Sequence, residues 1–86
     1  MTRMIVRNKV KDFAVWKPVF DEQLSAAGES GLTLENLWQN IDDPNEVFFI
    51  FVVESVERVY EFFNDPASAE AGERSGVIDG EFWLVE

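Results

Sequence analysis

Histidine and cysteine are both absent from this 86-residue chain. Without cysteine there is no disulfide, no thiolate nucleophile and no zinc–thiolate centre. Without histidine, the usual general base at neutral pH, the commonest metal ligand and the ordinary proximal haem ligand are missing too. No 18-residue apolar run occurs, and no apolar segment follows the first charges. Neither membrane insertion nor export is therefore indicated, and a cytoplasmic location is expected. Cations are scarce: seven lysines and arginines face seventeen acidic residues, for a net charge of −10. That balance disfavours nucleic acid, whose binding needs a cationic surface to release counterions. Glycine-rich phosphate loops, nucleophile elbows and metal-binding clusters are absent as well.

The charge is unevenly placed. Residues 1–17 carry +4, through Arg3, Arg7, Lys9, Lys11 and Lys17 against Asp12, while residues 18–86 carry −14. The cationic end reads either as an anion-attracting part of a pocket or as charge balance on a solvated surface.

Against these absences stands one dense apolar segment, Val47-Phe48-Phe49-Ile50-Phe51-Val52-Val53, seven residues that are β-branched or aromatic throughout. It reads as a strand buried on both faces. A single domain of 86 residues buries only roughly 60–65% of its unfolded surface. Two short helices can cover one face of a small sheet, and a second subunit or a ligand is expected on the other.

The rest of the chain supplies the frame. Thr2 to Val10 is a first strand, with Met4 and Val6 on one face and Arg3, Ile5 and Arg7 on the other. Asp12 is a candidate N-cap for a helix whose apolar stripe is Phe13, Trp16, Phe20, Leu24 and Ala27. Gly28 and Gly31 are expected to end it, and Pro18 predicts a 3₁₀ or offset first turn. Leu32 to Ile41 and the apolar strand form a hairpin around Asp42-Asp43-Pro44-Asn45. Ser55 opens a second helix, and Asp65-Pro66 opens a short one ending at Gly76. Val77 to Val85 is the last strand, interrupted by Gly80, with Ile78, Phe82 and Leu84 expected to face the helices.

The order β-α-β-β-α-β predicts an α+β, ferredoxin-like domain over residues 1–86. It has a four-stranded antiparallel sheet in the order 4-1-3-2, with the helices on one face. The other face is predicted to carry Ile5 and Arg7, Glu81, Trp83 and Val85, and, from the second strand, Leu34, Asn36 and Trp38. A one-residue bulge would instead bring Thr33, Glu35, Leu37 and Gln39 there.

At Val10-Lys11-Asp12-Phe13, Trp16-Lys17-Pro18-Val19-Phe20, Asp42-Asp43-Pro44-Asn45-Glu46-Val47 and Asn64-Asp65-Pro66, the chain resembles the dimeric α/β-barrel superfamily. Within it the chain is similar especially to small members near the antibiotic-biosynthesis monooxygenases. The resemblance implies a homodimer paired sheet to sheet. It also implies a protein that encloses a small aromatic molecule, with no cofactor and no metal. Asn36 and Trp38 are possible counterparts of that family's pocket asparagine and tryptophan, while its histidine has none here. Arg7, Asn36, Trp38, Phe49, Phe51, Tyr60, Glu81 and Trp83 form the candidate binding set, with Arg7 meeting the ligand's oxygen. The alternative is a non-enzymatic homodimer that binds a ligand or partner, its aromatic residues interlocking across the interface. Asp79 with Glu81 reads better as a solvated edge than as an acid–base pair, the acidic turn lacks the spacing of a calcium loop, and Tyr60 and Trp16 sit on core-type helical stripes.

Overall fold

A computed structural model describes all 86 residues. The strands are β1 (Thr2–Val10), β2 (Leu32–Gln39), β3 (Glu46–Val53) and β4 (Val77–Val85), and the helices are α1 (Phe13–Glu29), α2 (Val56–Asn64) and α3 (Pro66–Ser75). Every pairing is antiparallel, in the order β2-β3-β1-β4. This is the expected ferredoxin-like layout. No helix is long and apolar enough to cross a membrane.

Local chemistry sets the boundaries. Asp12 caps α1 by accepting the Ala14 N–H at 2.9 Å, and Asp65 caps α3 by accepting the Ala67 N–H at 2.8 Å, with Pro66 at the first helical position. Gly76 ends α3 at φ 79°, in the left-handed region that favours glycine. For α1, the expectation at Pro18 fails and the one at its end holds only for Gly31. The helix runs without a break through Pro18, which removes one N–H donor from a side of the helix that is otherwise solvated. Gly28 lies inside the last turn, and Gly31, at φ 81°, alone makes the left-handed exit.

Alternation divides the sheet cleanly. Met4, Val6 and Val10 of β1 and Val47, Phe49, Phe51 and Val53 of β3 pack with Trp16, Ala27, Leu32 and Val59 in one core between sheet and helices. Trp16 stacks on Phe20 at 4.6 Å between ring centroids, and Phe20 meets Phe49 edge-on at 4.9 Å. Phe82 and Leu84 pair with Val6 and Met4 and so face the helices, with Phe82 stacked on Phe63. Ile78 does not share that face productively: a register shift pairs Val77 with Val10, and Ile78 is left 59% exposed.

Candidate functional site: an aromatic cavity under the helices

Two surfaces of this sheet carry chemistry. On the side away from the helices, the strand register assembles two neighbouring rows across all four strands. One row runs Asn36, Ile50, Ile5 and Trp83, and the next runs Trp38, Phe48, Arg7 and Glu81. Trp38 and Trp83 are about half exposed, at 49% and 47%. A bulge at Glu35 decides which β2 residues arrive here. It leaves Leu34 paired with Phe51 on the helix side and turns Asn36 and Trp38 outward, so Leu34 is the one β2 assignment that fails.

Arg7 is not a free cation on this face. Its guanidinium donates to Glu46 at 3.0 Å, Asp79 at 3.3 Å and Glu81 at 3.4 Å. Hydrogen bonds to Glu46 and Asp79 hold its pKa above the ordinary value. Glu46 is held below the usual carboxylate range, first by the Asn40 amide, which donates at 2.7 Å, and then by Arg7. Three carboxylates engage Nε and Nη1 of Arg7. A ligand whose oxygen met Arg7 would have to share the guanidinium with these carboxylates. Arg3 is likewise paired, with Glu35 at 3.1 Å, and Lys9 is paired with Asp43.

The second surface lies within the subunit. A cavity of about 140 Å³ opens between α1, α2, α3 and the sheet, and eleven of its sixteen lining residues are hydrophobic. Its walls include Trp16, Phe20, Phe49, Phe51, Phe62 and Phe63. Phe49 and Phe51, grouped with Trp38 and Trp83 in the candidate binding set, are 5% exposed and belong to this inner side, because β3 alternates and Val47, Phe49, Phe51 and Val53 all point toward the helices. Tyr60 lies in neither place: it is 50% exposed on α2, off the buried stripe that Val59 occupies.

The polar groups of the cavity are few. Ser68 Oγ donates to the Phe62 carbonyl at 2.6 Å and Ser75 Oγ donates to the Gly72 carbonyl at 2.9 Å. The amides of Asn8 and Gln23 complete the set, and no lining side chain ionises. No polar side-chain atom of the chain is sealed from solvent without a partner. The Asn8 amide, outside the network of side-chain hydrogen bonds, therefore keeps its capacity for the cavity. Asn8 was legible as the one polar break in the β1 stripe Met4, Val6, Asn8, Val10, a signal the face assignment passed over. No group of three or more acidic residues is arranged to hold a metal ion.

No family profile matches the chain, and no curated protein matches it by sequence. Solved structures do. SnoaB, a cofactor-independent oxygenase from Streptomyces nogalater, shares the fold at TM-score 0.78 and 17% identity over 99% of this chain and 90% of that one. An antibiotic biosynthesis monooxygenase aligns at TM-score 0.75 and 16% identity, covering 100% and 97% of the two chains. A protein from Agrobacterium tumefaciens aligns at TM-score 0.71 and 19% identity, covering 100% and 92%. The chain thus has the ferredoxin-like fold of the antibiotic-biosynthesis-monooxygenase-like proteins.

Proposed function

We propose that this chain is an antibiotic-biosynthesis-monooxygenase-like homodimer that takes a small aromatic molecule into the cavity beneath its helices. The observation that carries the reading is the cavity itself, about 140 Å³ with aromatic walls and a few neutral polar groups. That size suits one aromatic ring, and an apolar cavity of such volume gains its ligand through contact with surrounding rings. Asn8 supplies an amide able to give and accept hydrogen bonds, which orients a phenolic or ketonic oxygen.

SnoaB is a cofactor-independent oxygenase; cofactor-free oxygenation of an aromatic ring in this cavity would require the substrate to lose a proton and become electron-rich. No lining residue ionises. Tyr60 is an exposed residue of α2, and Glu81 is bound to Arg7 on the far side of the sheet. The proton then has to leave through the substrate's own acidity and water at the mouth. The same lack of an ionisable lining favours a second reading, a homodimeric binding protein without turnover.

Pairing of the open faces completes the proposal. Its support is the apolar content of that face, where Ile5, Phe48, Ile50 and Val52 are only half-buried and Trp38 and Trp83 stand exposed in a single subunit. Asn36 then serves the interface and not the ligand, and Arg7 with Glu81 serves as its polar edge.

Calorimetric titration with phenol and 4-methylphenol tests the cavity. Binding that is lost in Ala71→Leu, which fills the space from α3, supports the reading, and equal binding to both proteins removes it. Oxygen uptake with a bound benzenediol separates the two readings: uptake above the protein-free rate supports the oxygenase, and binding without uptake supports the binding protein.

A further inference from the structure

A second cleft, of about 280 Å³, adjoins the first and shares Gln23, Phe62 and Ser68 with it. Its remaining wall includes Glu29 from the end of α1, Glu61 from α2 and Asp65 from the α2–α3 junction. Where the two spaces meet, at Gln23, Phe62 and Ser68, the acidic cleft borders the cavity directly. From these placements we propose that the cavity selects its ligand by charge, admitting neutral and cationic aromatic molecules, arylalkyl amines among them, and turning away aromatic carboxylates. The inference rests on the cavity being a ligand site, as proposed above.

Three observations support it. First, no lysine or arginine lines either space. The cation at the edge, Arg58, donates to the Glu29 carbonyl oxygen, and Arg74 is held by Glu22 at 3.1 Å. Second, the cationic N-terminal segment does not compensate: Arg3, Arg7 and Lys9 are paired with Glu35, Glu46 and Asp43, Lys17 is bound to Asp21 at 2.8 Å, and Lys11, which has no ion pair, lines neither space. Third, the inner hydroxyls of Ser68 and Ser75 already donate to backbone carbonyls, so what they still offer is lone pairs. Those groups suit a ligand that brings N–H or O–H donors. The acidic border and the two hydroxyls therefore favour the same chemistry, while the Asn8 and Gln23 amides, which both give and accept, do not distinguish a donor from an acceptor.

Benzylamine, benzyl alcohol and benzoate differ mainly in the charge of one substituent and form the test, by titration calorimetry at neutral pH. Benzylammonium should bind roughly tenfold more tightly than benzoate at low salt, with benzyl alcohol between them, and the spread should shrink to about twofold in 1 M salt. The double variant Glu29→Gln/Glu61→Gln changes two exposed side chains and leaves the Asp65 cap of α3 intact, so the fold is kept. It should narrow the ammonium-to-carboxylate ratio to about threefold at low salt and leave benzyl alcohol unchanged. Equal affinity for the charged pair, or a ratio that the double variant does not alter, overturns charge selection while benzyl alcohol binding keeps the cavity. Failure of all three to bind overturns the cavity reading itself.

Discussion

The side-chain oxygen of Asn8 lies 2.7 Å from the position a Cβ would take at Gly80, its partner across the β1–β4 ladder. Gly80 therefore leaves room for the one amide that β1 presents to the cavity. Adding a methyl group here forces Asn8 Oδ1 to move, while the nearest backbone atom, the Arg7 carbonyl oxygen, stays at an ordinary 3.6 Å. Gly80→Ala is expected to change stability by less than about 1 kcal/mol, since only the end of a flexible side chain must shift and a strand glycine is replaced. Affinity for a phenol should fall as far as it does in Asn8→Ala. Chemical denaturation and calorimetry on both variants check the pair, and unchanged affinity in Gly80→Ala would separate Asn8 from the site.

Three glycines make an internal comparison. Gly28 and Gly72 are helical, and a Cβ at either meets nothing within 4 Å, so Gly28→Ala and Gly72→Ala should each stabilise by about 0.5–1 kcal/mol through helix propensity. Gly31 stands at φ 81° with Glu54 Cβ only 3.1 Å from the added atom, so Gly31→Ala should cost about 1–2 kcal/mol. Thermal unfolding of the three proteins reads the signs directly. Gly72 also lines the cavity, which makes Gly72→Ala the one stabilising change expected to weaken ligand binding.

The Glu46 carboxyl, drawn below the usual carboxylate range by Asn40 and Arg7, gives stability a defined pH dependence. Because the folded-state value is the lower one, the contribution is complete above the usual range and is lost as the pH falls through the folded-state value. Between about pH 7 and about pH 3 the denaturation midpoint of the natural protein should fall more steeply than that of Glu46→Gln, which has no such proton to take up. Parallel curves would mean that the Arg7 cluster is energetically silent.

Much of this frame is readable from residue order, because its signals are local. Asp12, Asp65-Pro66 and Gly76 mark helix ends by cap chemistry confined to a few residues, and the period-two patterns of β1 and β3 fix which face each strand buries. Three features lie beyond local pattern. The bulge at Glu35 has no marker such as glycine, yet it sends Leu34 and Asn36 to opposite faces. Asn45 reads as a turn residue, but its Oδ1 also accepts the Phe13 N–H at 2.9 Å and its amide donates to the Lys11 carbonyl, tying the hairpin to the start of α1. Phe49 and Phe51 sit in a run apolar on both sides, where hydrophobicity alone cannot say which residues face the helices; the register against Val6 and Met4 decides it.

The open face supplies the remaining prediction, and it decides whether the architecture is shared between two chains. Ile50 stands between Asn36 and Ile5 in the middle of that face, and Trp83, at 47% exposure, extends the same row onto the edge strand. A subunit leaving this row to water forgoes the burial of two large side chains, each worth about 1.5–3 kcal/mol when fully covered. Light scattering after size exclusion should give the natural protein about twice the 9.9 kDa chain mass over a wide dilution range. Trp83→Glu places a charge on the face without touching the helix-side core, so it should shift the mass toward one chain while the circular dichroism of the fold is retained. A natural protein of single-chain mass would remove the sheet-to-sheet dimer, yet it would leave the cavity beneath the helices intact, since every residue lining that space comes from one chain.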